Sequence, residues 1–366
     1  MLFVGLLLAG GAVAAVGALA ILALKPRTLT GRRFDAAAVP KAAKPASIPA
    51  RGRTAPVPQL FGPKSFWNTS VNDEPVDPSS SALVQALAAE VQKEAQGGIG
   101  PWIATSTSST TVYRVTRDQR RVEVKLDPTG TPGAAALQKA FRAVPIPGDA
   151  RPSAGVDRHM TIWQPATDRL WEFWQARRLP DGWHARWGGA IRNVSQSPGY
   201  YTASAWPGAQ RTWGATASSL PVAGGVMTIA ELQRGRIDHA LAINLPAPRA
   251  GTFAWPAQRT DGTGGPSTLP EGARLRLDPT LDITSLDLPP LTKMIALAAQ
   301  RYGFVVRDQT HKGISLFAQD PHGANGHPYN QLFARRSPLD YLSKFPWDRL
   351  QVLRMHLCTQ APCRAG

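Results

Sequence analysis

The sequence predicts a mainly β protein, a jelly-roll-like β-sandwich with a few peripheral helices. Three observations carry this expectation. The 366 residues include 33 Gly and 33 Pro, which is a turn-rich composition. Few stretches hold a helical period for long. Residues 157–187 alternate at period two around a short turn, as a β-hairpin does.

Taken in order, residues 1–24 are uncharged and apolar over about one bilayer thickness. They read as a transmembrane anchor or as a signal peptide with a cleavage option at Ala18-Leu19-Ala20. The basic cluster Lys25, Arg27, Arg32 and Arg33 follows the apolar run, and such flanking charge favours retention of the body inside. Against that orientation stand the Trp-rich body and the tail CTQAPC. There Cys358 and Cys363 are spaced for a small disulfide loop of the kind found in oxidising compartments. An extracytoplasmic body, membrane-anchored or secreted, is therefore expected. Residues 25–60 are a basic Pro/Ala-rich linker, and residues 61–366 a single β-rich domain.

The formal net charge is +16, but residues 1–60 carry eight Lys and Arg against the single Asp35, which accounts for +7 of it. The rest is spread without a basic run, so nucleic-acid binding is not expected. An acidic glycan, a cell-wall polymer or lipid headgroups suit the charge better.

Within the domain, helices are expected at about 81–94, 134–142, 226–233 and 289–302, where apolar residues recur at helical spacing. Strands are expected at 110–116, 121–126, 236–245 and 274–278, and residues 304–307 with 314–318 read as a final hairpin. In the central hairpin, a turn at Ala166-Thr167 pairs Thr161 with Glu172 and His159 with Trp174. Met160, Ile162, Trp171 and Phe173 then share an apolar face. Asp157, His159, Thr161, Trp163, Glu172 and Trp174 share the other. Indoles beside an acid and an imidazole could stack pyranose rings, or the same indoles could belong to the core.

Three chemistries can be built from the polar residues. A glycoside hydrolase needs two carboxylates, and Glu172 between Trp171 and Trp174 is the candidate acid, with Asp157 or Asp238 as partner. A polysaccharide lyase needs a base and a group that neutralises a uronate, for which His159 or His239 with Arg236, Gln258 and Arg259 would serve. His159, Glu172 and His239 could also converge on a metal, but no HxH or HExxH spacing supports it, so no metal site is expected. P-loop, GxGxxG, GxSxG and EF-hand patterns are absent, and no cofactor is implied.

The motifs FGPKSFWN, DRHMTIWQPATDRLWEFW, WHARWGGA, WGATASSLP, GRIDHALAI, WPAQRTDG, PEGARLRLDP and FPWDRLQ together resemble a family of exported bacterial proteins. The resemblance spans roughly residues 61–355. It implies a core in which an Asp-Arg-His stretch, a Glu on the next strand and a His-Ala-Leu strand recur in that order. That points to Asp157, His159, Glu172 and His239 as catalytic residues. Trp163, Trp174, Arg236, Gln258 and Arg259 are the candidate substrate-binding residues. The expected activity is cleavage of an extracellular or wall polysaccharide; a glycan-binding module or a structural envelope protein is the alternative.

Overall fold

The structure is a computed structural model and describes residues 59–365 apart from 129, 323, 325, 326 and 335. The expected anchor at 1–24, and the linker up to residue 58, lie outside the described residues. Among the described residues no helix is long and apolar enough to cross a membrane.

The chain opens with α1 (Ser80–Gly97), then β1 (Trp102–Ala104), β2 (Thr111–Arg114), β3 (Val124–Leu126) and α2 (Ala134–Ala140). The central region holds β4 (Met160–Gln164), β5 (Arg169–Trp174), β6 (Arg177–Leu179), β7 (Gly182–Ala185) and β8 (Trp187–Arg192). After a long irregular stretch come α3 (Ile229–Arg234), β9 (Leu241–Leu245), β10 (Phe253–Ala254), β11 (Arg274–Leu277) and α4 (Pro290–Arg301). The last elements are β12 (Phe304–Gln309), β13 (Ser315–Phe317), α5 (Pro328–Leu332), β14 (Leu350–Val352) and β15 (Leu357–Cys358).

These strands form a six-stranded sheet ordered β1-β13-β9-β12-β11-β14, a four-stranded sheet β2-β4-β5-β8, and two smaller sheets. The mainly β, sandwich-like class holds, with few helices. The pairs β1/β13, β9/β12 and β2/β4 are parallel, so the sheets are mixed and do not by themselves establish a jelly-roll order. One local expectation fails. Residues 304–307 and 314–318 form β12 and β13 but are not a hairpin, because β9 lies between them and pairs with both.

Alternation along the six-stranded sheet assigns its two faces. Leu241, Ile243, Phe304, Val306 and Leu316 pack in one apolar cluster with Leu83 and Leu87 of α1 and Ile295 of α4. Ala242, Val305 and Phe317 point the other way, into a second cluster with Met160, Ile162, Trp171 and Phe173 of the four-stranded sheet. The layers are helices, large sheet, small sheet. Each fully buried large apolar side chain in these clusters contributes about 1.5–3 kcal/mol. On α4 the buried stripe is Leu291, Ile295, Ala298 and Ala299, whereas Leu297 is half exposed.

The hairpin register is the one expected: Thr161 pairs with Glu172 and Ile162 with Trp171. Asp168 takes a left-handed conformation at the turn, and its carboxylate accepts from the backbone N–H and the hydroxyl of Ser195. Next to it, Gly188 and Gly189 of β8 sit where no side chain fits. A Cβ at Gly188 would run into the Glu172 carbonyl, and one at Gly189 into the Tyr201 ring. Gly188→Ala is accordingly expected to cost about 3 kcal/mol or more. A urea midpoint within error of the parent would overturn that account. At the C-terminus Cys358 and Cys363 form the expected disulfide, and the buried Gln258 amide holds this loop through the Cys363 backbone N–H and carbonyl.

Candidate functional site

The largest concavity near the sequence-derived candidates is a cleft of about 650 Å³ at the end of the sandwich. Asp157, His159, Trp174 and Arg259 all line it, together with Trp187, Asn244, Asp261 and Asp308. Four of the nine expected residues thus meet in one place.

Each wall has a local cause. Trp174 and Trp187 are cross-strand partners on β5 and β8, and the Trp174 indole donates to Asp157 at 3.1 Å. His159 precedes β4 and is 5% exposed. Its Nε2–H donates to the Ala215 carbonyl at 3.1 Å. Nδ1 lies near the Ser109 backbone without a hydrogen bond of regular geometry. Burial lowers the imidazole to about 4 against the pull of Asp157, with a smaller lowering contribution from the Arg307 charge. The ring is neutral at physiological pH, with Nε2 on the Ala215 carbonyl and Nδ1 buried beside the Ser109 backbone.

The opposite wall is the segment 214–219 of the WGATASSLP motif. It is pinned from two sides. Arg259 donates from Nε to the Ser219 hydroxyl at 2.8 Å and from Nη2 to the Thr216 carbonyl at 2.8 Å. From the core side, Glu172 accepts from the Ala215 N–H at 2.9 Å and from the Val222 N–H at 2.8 Å.

Those contacts decide the place of Glu172. It is fully buried, with both oxygens taken by backbone donors, and it lines none of the cavities among the described residues. Burial pushes its carboxyl up to about 7 against these donors and Arg307. The face that was expected to be an open sugar platform is covered by the 214–222 segment, because the small residues there let backbone approach the sheet closely. Glu172 positions this wall and does not face the cleft.

The other candidates are dispersed. His239 lies before β9, outside the strand expected for it, and faces a second cavity of about 390 Å³ with Trp163. There its Nε2 meets Glu231 at 3.2 Å. Burial works against a charge on His239, but Glu231 outweighs it and raises the imidazole above its ordinary value. Trp163 and Trp174, expected to share one platform, therefore line different cavities. Arg236 is exposed and paired with Asp238, and Gln258 is occupied with the disulfide loop. The trio His159, Glu172 and His239 does not converge.

On the floor of the cleft Asp261, a polar candidate in the sequence, meets Asp308, and Glu271 lies beside them without lining it; Asp308 and Glu271 were not among the expected residues. Asp261, Glu271 and Asp308 bring carboxylate oxygens within 4.8 Å of one another. Burial first, then Asp261, pushes Asp308 up to about 7. Burial with Asp308 and Asp261 holds Glu271 well above the usual carboxylate range. Asp308 reaches this floor through a β-bulge. The β12/β9 register shifts between Val306 and Asp308, so that Asp308 pairs with Asn244 and joins Asn244 in lining the cleft instead of following Val306 to the helix side. A charged pair, Arg307-Asp308, in an otherwise apolar strand was the signal for it. Glu271, between Pro270 and the left-handed Gly272, carried none.

No family model, no curated protein and no solved structure matches this chain.

Proposed function

We propose that the protein is an extracytoplasmic enzyme that cleaves an acidic polysaccharide, working in the 157/159/308 cleft and not at Glu172. The observation that supports this most is the juxtaposition of a buried neutral imidazole, two indole walls and a basic rim on one cleft. Arg186 and Lys312 are exposed at that rim, beside Arg259. Indoles suit pyranose faces, and the rim suits carboxylates of the substrate.

Elimination suits the cleft better than hydrolysis, because it needs a base and a cation rather than two carboxylates flanking the bond. In an elimination, the His159 imidazole takes the proton α to the uronate carboxylate. The bond to the leaving sugar oxygen breaks, that oxygen takes a proton from water, and a carbon–carbon double bond forms. Arg259 stabilises the carboxylate as negative charge builds on it.

The full chain incubated with neutral and uronic polysaccharides tests this, with reducing ends and ultraviolet absorbance followed together. Both signals rising on a uronic polymer, and falling by about 100-fold or more in His159→Ala, is the expected result. Reducing ends without absorbance would overturn elimination in favour of hydrolysis. Silence on both, with tryptophan fluorescence still shifting, would leave a glycan-binding module.

A further inference from the structure

Asp261 and Asp308 on the cleft, with Glu271 beside them, gather negative charge where an acidic substrate would need a counter-charge. Glu271 is fully buried, with the Thr260 side chain and the Asp261 backbone as its hydrogen-bonding neighbours. One observation beyond the acidic cluster points to what supplies the counter-charge. Asn244 is 5% exposed, lines the same cleft opposite Asp308 in the ladder, and its side-chain oxygen is without a partner. A buried oxygen left bare is costly unless a ligand takes it.

We infer that the cleft floor is a calcium site, with Asp261, Glu271 and Asp308 as charged ligands and the Asn244 oxygen as a neutral one. The donor set is all oxygen, which selects a hard cation over zinc or copper. The carboxylate oxygens lie within 4.8 Å of one another. An irregular set of three carboxylates and an amide suits Ca²⁺, which takes six to eight oxygens in flexible geometry, better than Mg²⁺, which demands a near-ideal octahedron. Asp261 is exposed at the rim, so the ion has an entry path and can keep water on that side. Arg259 beside the cluster reduces the surplus negative charge. The competing account is that the carboxyls share protons among themselves and bind nothing.

This site would provide the counter-charge that the polysaccharide reading requires, but it rests on the geometry of the floor alone. The test therefore uses metal and no glycan. Metal-stripped full-length protein is titrated calorimetrically with Ca²⁺ and with Mg²⁺. Terbium luminescence, excited through Trp174 and Trp187 on the same cleft, is followed in parallel.

The expected result is one Ca²⁺ per chain, with affinity between about micromolar and millimolar and Mg²⁺ weaker. Glu271→Gln and Asp308→Asn should each weaken it about 100-fold or more, and Asn244→Asp, which adds a ligand charge, should tighten it. If Glu271→Gln does not fold, Asp308→Asn and Asn244→Asp decide. No saturable binding at millimolar Ca²⁺, or binding indifferent to these substitutions, overturns the site. Calcium binding by a chain that cleaves no glycan would keep the site and sink the polysaccharide reading.

Discussion

Replacing Glu172 with alanine lowers folding stability by roughly 2–6 kcal/mol, as measured by urea denaturation at neutral pH. The size follows from what the carboxylate holds. Ala215 and Val222 each give it a backbone N–H, in a place with no water to substitute. A buried donor left without its acceptor costs about 1–3 kcal/mol. Glu172→Gln should fall between, since its amide keeps one acceptor but turns an N–H₂ toward a second donor. The loss extends to the cleft, because the Ala215 carbonyl orients His159. Fluorescence of Trp174 and Trp187 should therefore shift even before unfolding. A Glu172→Gln chain as stable as the parent but catalytically dead would contradict this account. It would return Glu172 to the role of acid.

Raising the pH from about 6.5 to about 8 destabilises the metal-free protein by an amount on the order of 2 kcal/mol. Asp308 is displaced upward from 3.8 to about 7, and Glu172 and Glu94 from 4.5 to about 7, in each case first by burial. A carboxyl whose folded pKa lies above its unfolded value keeps its proton longer when folded. Its stabilising contribution is complete below the unfolded value and is lost as pH rises through the folded one. His159 has the opposite sign, since burial lowers it from 6.5 to about 4. It adds stability as pH rises across that interval and contributes no further change above 6.5. Only the decline then remains. One carboxyl displaced by three pH units corresponds to about 4 kcal/mol over the whole span from its unfolded to its folded value, of which about 0.8 kcal/mol falls between pH 6.5 and 8; for a group such as Asp308 that keeps some contact with solvent these are upper figures. The groups facing Asp308 are Asp261, Glu271, Asp157 and Arg307. Asp308→Asn should flatten the profile, and Ca²⁺ should do so too, by favouring the ionised carboxylates. Thermal melts across this range check it; a flat or rising profile without metal would show that these carboxyls are not held protonated.

Local pattern and tertiary assembly divide the molecule between them. The period-two alternation of residues 157–176 settled the hairpin register, because a slip of one residue would turn Met160, Ile162, Trp171 and Phe173 out of the core. The spacing of Cys358 and Cys363, and the helices at 80–97 and 290–301, were readable for the same reason: their physics lies within a few residues. The burial of Glu172 was not. Pattern placed it on the polar side of a ribbon, but whether that side meets water depends on a segment more than 40 residues away in sequence.

The same holds for the cleft. Asp157 and His159 come from the start of one hairpin, Arg259 and Asp261 from a loop, Glu271 from a turn and Asp308 from a bulged strand. Simple alternation would have sent Asp308 to the helix side of the sheet; one irregular residue in its pairing reverses that. Local pattern was enough for the two strands of the central hairpin, the residues they bury, and the joint occurrence of acid, imidazole and indole in this region. Which acids share a site was decided only when two sheets packed and their ends met, since side chains distant along the chain converge through long-range contacts that no local period encodes.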